Sequence, residues 1–133
     1  VYSEGCMTIQ VKNYKVLRGL MSVPFHPTLI ALTMWITIRH SQTVFTSAYR
    51  EGDKGVHGQN PCRGLDIRSK VFHDPRKIVN DINTHWLYDP GREQFRCAKL
   101  HDAGKGKHIH LQVHDKTRYL GGFCNKENKK DEK

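Results

Sequence analysis

Lys107-His108-Ile109-His110-Leu111-Gln112-Val113-His114 is the stretch on which the fold turns. Successive side chains of an extended strand point to opposite faces, so His108, His110, Gln112 and His114 share one face while Ile109, Leu111 and Val113 share the other. The apolar face belongs to a core, and the histidine face must look at something polar. Before it, Gln94 to Leu100 reads as another strand, and a turn containing Gly104 and Gly106 joins the two into a hairpin.

Working outward from the hairpin, Asp74-Pro75 reads as a helix start, with a capping side chain followed by a residue whose missing N–H is not needed there. Ile78, Val79, Ile82 and Trp86 follow at helical spacing, and Asp89-Pro90-Gly91 is the expected stop. Arg63 to Ser69 and Thr43 to Tyr49 read as strands, the latter rich in β-branched and aromatic residues. Between them, Arg50 to Arg63 carries Gly52, Gly55, Gly58, Asn60 and Pro61, the composition of a surface loop. Pro27 opens a helix with Leu29, Leu32 and Ile36 inward, ending near His40. Trp35 and Trp86, each on a helix in this reading, are core or core-edge residues. Helix, strand, loop, strand, helix and hairpin together predict an α+β fold, with a small, mainly antiparallel sheet and flanking helices.

The 133 residues fit one domain, here residues 1–124, followed by a charged tail over 125–133 that is expected to be a frayed, solvated terminus. Lys and Arg number 22 against 13 Asp and Glu, a formal charge of +9, so an anionic partner is expected. No run of about 18 apolar residues exists, which excludes a helical membrane span. Val1 to Lys15 has polar residues scattered throughout and does not read as a signal peptide, although a first residue other than Met leaves room for trimming. Cys6, Cys62, Cys97 and Cys124 contain no Cys-x-x-Cys pair, which argues against a zinc ribbon and leaves disulfide pairing open. Cys97 and His101 could join Cys62 or Cys124 around a structural zinc, but a lone Cys in a strand is more often a small buried hydrophobe.

The chemistry gathers in two places. In Arg63-Gly64-Leu65-Asp66-Ile67, alternation puts Leu65 and Ile67 inward and Asp66 on the opposite face, where strand propensity disfavours it and something must compensate. His57 lies in the glycine-rich loop just before. A His from a loop, an Asp from a strand and a His from the hairpin supply the N, O and N donors of an open tetrahedral zinc site, with the fourth place left to water. Zinc of that kind polarises a carbonyl and lowers the pKa of water to about 7, so an amide can be hydrolysed without a covalent intermediate, given a nearby base.

The segments Thr46-Ser47-Ala48-Tyr49-Arg50, His57, Gly64-Leu65-Asp66 and His108-Ile109-His110 resemble the zinc D-alanyl-D-alanine carboxypeptidase family, whose fold is shared by the lysostaphin-type peptidases and the hedgehog signalling domain. The likeness runs from about Pro24 to His114. It implies His57, Asp66 and His110 as zinc ligands, His108 as general base or transition-state stabiliser, and Arg50 as the holder of a substrate carboxylate or of developing negative charge, a task suited to its planar fork. It also implies the substrate, a peptide of peptidoglycan, and hence a zinc-dependent cell-wall peptidase. The +9 charge would hold such an enzyme on anionic wall polymers, and a single small catalytic domain without a leader looks like a phage endolysin or virion-borne lysin. We expect it to be monomeric.

The chain departs from the family pattern in three places. His57 and Asp66 are nine positions apart where the family motif has seven, Gly55 stands where the motif has Ser, and Lys107 occupies the place of a Glu or Asp three residues before the last ligand. The two extra residues around Asn60, Pro61 and Cys62 must bulge away from the metal. Either His108 does the acid–base work alone, or a carboxylate arrives from Asp102 or Glu93. A catalytically inactive zinc-containing binding module of the same fold is therefore the alternative. A histidine-dependent nuclease using Asn60, Asn80 or Asn83 is the third reading, but the His-x-His strand lacks the strand–helix arrangement such a finger needs, so no nucleic-acid partner is expected. His26, His40, His73, His85 and His101 have no spacing that assigns them a role.

Overall fold

A computed structural model describes residues 7–102 and 106–121. Among the described residues, seven strands and three α-helices make an α+β architecture. A five-stranded sheet has the order β1 (Thr8–Val11), β2 (Gln42–Ser47), β3 (Gly64–Arg68), β6 (Lys107–Gln112), β5 (Ala98–Asp102). Only the β1–β2 pair is parallel; β2–β3, β3–β6 and β6–β5 are antiparallel. The short strands β4 (Trp86–Leu87) and β7 (Arg118–Tyr119) pair separately. No helix among the described residues is long and apolar enough to cross a membrane.

The alternation read from the hairpin strand holds. Ile109, Leu111 and Val113 are fully buried, as are Leu65 and Ile67 on β3, and they join Leu29, Leu32 and Ile36 of helix α2 (Pro27–His40) and Ile82 of helix α3 (Pro75–His85) in one core. Helix α2 starts at Pro27, with His26 Nδ1 accepting from the Thr28 N–H. Its buried threonines are satisfied within the helix, Thr33 and Thr37 donating to the carbonyls four residues back. Asp74 caps α3 through the Lys77 N–H.

Several boundaries differ from expectation. Helix α3 ends at His85, short of Asp89-Pro90-Gly91, because Trp86 leaves the helix to pair with Tyr119 as β4. Trp86 is nonetheless core, and Trp35 packs edge-on against it at the core margin. The strand expected over Gln94 to Leu100 lies at Ala98–Asp102: the chain before it turns on Asp89 and Arg92, and the Asn83 side chain clasps both backbone groups of Ala98. The next strand stops at Gln112, where the chain bends into the turn that Thr117 closes on His114. Strand β1 and helix α1 (Tyr14–Ser22), capped by Asn13, were not read from the sequence; α1 buries Val16 and packs the partly buried Leu20 against the core. Gly104, Cys6, Cys124 and the tail 125–133 lie outside the described residues.

Candidate metal centre

Asp66 stands at the middle of β3, in the centre of the sheet, and is buried on the face opposite Leu65 and Ile67. Its register partner on β6 is His110, and one row further Arg68 faces His108. The two neighbours expected from strand alternation thus converge by pairing alone. His110 Nδ1 lies 3.0 Å from Asp66 Oδ1.

His57 arrives from a single turn of 3₁₀ helix, Val56–Gly58. That turn is anchored on both sides, by the Arg50 N–H bonded to the His57 carbonyl and the Arg63 N–H bonded to the Val56 carbonyl. Two glycines permit it to sit so close. A Cβ on Gly58 would run into the Asp53 carbonyl oxygen, and one on Gly64 into the Val56 side chain. Cys62 pairs with Phe25 and is tied to Pro24 and His26 by backbone hydrogen bonds, while His57 Nε2 stays 3.2 Å from Asp66 Oδ1.

The outer nitrogens of both rings are already committed. His57 Nδ1 is 2.9 Å from the Ala48 carbonyl oxygen, which can only accept, so this nitrogen carries the proton. His110 Nε2 is 3.1 Å from Gln112 Oε1, and the amide orientation is fixed because Gln112 Nε2 donates to the Arg96 carbonyl at 2.8 Å. The inner nitrogens, His57 Nε2 and His110 Nδ1, therefore turn lone pairs toward one carboxylate oxygen. Three lone-pair donors converging in a buried place require a cation among them, either protons on both rings or one metal ion. Their ligand atoms lie within 4.8 Å of one another, and this is the one such His/Cys/Asp/Glu group among the described residues. Carbonyl groups behind both histidines form the outer shell that orients imidazole ligands toward a metal. Without a metal, where the cation among the donors is a proton on each ring, burial pushes the Asp66 carboxyl pKa up but hydrogen bonds donated by His110 and His57 and the charge of the nearby imidazoles outweigh it, so the group is held well below the ordinary carboxylate range.

A cleft of about 230 Å³ opens on this centre. His108 lines it, with Nε2 3.6 Å from Asp66 Oδ2. Arg50 lines it too, its guanidinium held by Asp53 Oδ2 and Ser47 Oγ, each at 3.1 Å. All five residues singled out from the sequence are thus in one place. Lys99 and His101 complete the lining; Lys99 was not singled out, and His101 only as a partner for Cys97 around a structural zinc, not for this site. Strand pairing is the signal that finds them, since Lys99 and His101 are the β5 register partners of His110 and His108. Asp102 and Glu93, the candidate extra acids, do not line the cleft; Asp102 is paired in register with Lys107. Asp66 is the only carboxylate lining it among the described residues.

The other sequence candidates fall to structural roles. Cys62 and Cys97 are free and buried, the first with its thiol toward the Gly64, His57 and Val56 carbonyls, so they do not join His101 around a metal. Asn83 is spent on Ala98. No family model, curated protein or solved structure matches the chain.

Proposed function

We propose that this chain is a zinc-dependent peptidase that hydrolyses peptide bonds of peptidoglycan, in the stem peptide or the cross-link. The observation that carries the reading is the convergence of His57 Nε2 and His110 Nδ1 on Asp66 Oδ1 with both outer nitrogens committed to carbonyl oxygens. Two nitrogens and one oxygen at this spacing are the donor set of a catalytic zinc with an open position, where structural zinc sites are closed by four protein ligands. Zinc bound there supplies Lewis-acid polarisation of a carbonyl and water that ionises near pH 7.

The chain's own residues do the rest. His108, beside Asp66 Oδ2, accepts the proton of the attacking water and returns it to the departing amine. Arg50, its plane set by Asp53 and Ser47, holds a substrate carboxylate or the negative charge that grows on the carbonyl oxygen. Peptidoglycan as the substrate is supported by the family resemblance and by the +9 charge, which favours anionic wall polymers.

A second reading has a specific observation in its favour. With Asp66 committed as a ligand, no carboxylate lining the cleft is left for acid–base work among the described residues, and Lys107 stands where carboxypeptidases of this kind have an acid. That arrangement suits an inactive zinc-containing binding module of the same fold. Bound metal and release of new amino groups from purified peptidoglycan, measured on wild type, His57→Ala and His108→Ala, separate the two. The peptidase reading expects one zinc with amine release, both lost in His57→Ala, and amine release alone lost in His108→Ala. Zinc without amine release across several wall types selects the binding module, and no zinc at all sinks both.

A further inference from the structure

One register row crosses four strands of the sheet: Ser47 on β2, Asp66 on β3, His110 on β6 and Lys99 on β5. Residues opposite one another on neighbouring strands project from the same face. The donor set occupies the middle of the row. At one end the Arg50 guanidinium rests on Ser47 Oγ, at the other stands Lys99, and both cations line the cleft. With neighbouring strands about 4.8 Å apart, the Ser47 and Lys99 backbones are about 14 Å apart along the row, which puts each about 7 Å from its centre. Two residues of extended peptide cover that distance. The two cations differ in their surroundings. Arg50 is paired with Asp53, whereas Lys99 is exposed and has no ion pair among the described residues. Asp66 is the only carboxylate among the described lining residues, and His57 and His110 already address it. An ammonium in a cleft where the chain offers it no carboxylate is matched by an anion of the ligand.

We propose that Lys99 determines substrate specificity: its ammonium binds a carboxylate of the peptide on the side of the scissile amide away from Arg50. The substrate class is thereby an acidic peptide, with a free carboxylate within about two residues of the scissile bond on that flank. The inference rests on the peptidase reading of the cleft, which places the scissile amide at the donor set. Strand β5 is also an edge of the sheet, where Lys discourages pairing with another chain. That role alone leaves peptide recognition untouched, so the two are separable.

Soluble peptides released from purified peptidoglycan, with their carboxylates free or converted to primary amides, test this on the zinc-loaded full chain. Wild type, Lys99→Met, Lys99→Arg and Lys77→Met are compared. Hydrolysis is followed by amine release, and binding by calorimetry in the His108→Ala background, where hydrolysis is blocked. Met keeps an apolar stem and removes the charge. Lys77 on α3 is exposed and does not line the cleft, so its variant controls for the loss of one charge from the whole chain. Lys99→Met is expected to weaken binding of the free-acid peptides and raise their KM about five-fold, the size of one ion pair at a partly solvated site. Lys99→Arg is expected to restore most of the loss, and added salt to shrink it. On the amidated peptides Lys99→Met and wild type are expected to agree. Amine release by wild type and Lys99→Met with equal KM for the free-acid peptides overturns the proposal and leaves the peptidase reading standing. An equal loss in Lys77→Met also overturns it, since overall charge then accounts for the effect, and so does failure of the free-acid peptides to bind any form. Lys99-dependent binding without amine release in wild type fells the peptidase reading instead and upholds the ammonium–carboxylate contact.

Discussion

Asp66 and His110 face each other as register partners across the β3–β6 ladder, 3.0 Å apart, and the far side of the His110 ring is held by Gln112 two residues along the same strand. Gln112 thereby fixes which nitrogen of His110 carries the proton. Replacement of Gln112 by Ala removes that acceptor without touching a ligand, and is expected to weaken zinc binding by about 10–100-fold while leaving the stoichiometry at saturating metal unchanged. Competition with a chromophoric chelator measures it; an unchanged affinity would show that Gln112 plays no part in orienting the ring.

Metal removal is expected to cost stability because the unfolded chain cannot assemble donors from residues 57, 66 and 110. At free zinc 100 times the dissociation constant, the folded state gains about 2.7 kcal/mol. A gain of that size raises the melting temperature by roughly 10 °C in a chain this long. Calorimetry with and without EDTA checks the shift, and His57→Ala should show none.

Gly58 is where the backbone has to be bare for His57 to reach the site. A methyl group there meets the Asp53 carbonyl, so Gly58→Ala is expected to displace the 3₁₀ turn, destabilise the fold by about 1–3 kcal/mol and lower zinc affinity. Urea melts of the metal-free protein isolate the first effect and zinc titration the second. Wild-type values in both would mean the turn relaxes without moving His57.

Away from the site, Asp81 on α3 ties α2 in place, bonded to Arg39 Nε at 2.6 Å and His40 Nε2 at 2.8 Å. Burial pushes its pKa up, but hydrogen bonds from Arg39 and His40 and their charges prevail, so it lies below the ordinary carboxylate value. A depressed pKa means stability that is fully present above the unfolded-state value near 4 and is lost as pH falls through the folded-state value. Because the Arg39 side chain is half exposed, the contribution is discounted to about 1 kcal/mol. Asp81→Asn should therefore be less stable than wild type by about that much at pH 6–7 in urea melts, with the difference shrinking below pH 4.

Burial pushes the Cys97 thiol up to about 12, against a weaker lowering by a hydrogen bond with Thr117, and burial raises Cys62 as well. Thiolate is the reactive form, so neither residue should be alkylated by iodoacetamide in the native protein at pH 8, and both should react once denatured. Peptide mapping by mass spectrometry distinguishes them from Cys6 and Cys124. Native labelling of Cys97 would contradict its place in the core.

The sequence by itself determined the elements whose periodicity is strong. Alternation in 107–114 set one face to the core and the other to a site, Pro27 and Asp74-Pro75 marked helix starts, and the family resemblance drew His57, Asp66, His108, His110 and Arg50 together. Each of those is a local signal, carried by neighbours in the chain. What only the tertiary structure decided is non-local. Trp86 leaves its helix for Tyr119, thirty-three positions away, and β1 pairs in parallel with β2 although its own four residues carry no legible pattern. His101 had no distinguishing spacing because its neighbour His108 is a matter of β5–β6 register, which a hairpin with glycines in its turn leaves free to shift. Which nitrogen of His57 and of His110 carries the proton was equally invisible, since it depends on Ala48 and Gln112 oxygens that the fold brings to the outer edges of the two rings. Local propensity writes secondary structure into the chain, whereas the register of strands and the partners of buried polar atoms are settled only when the core closes and every such atom must find its bond.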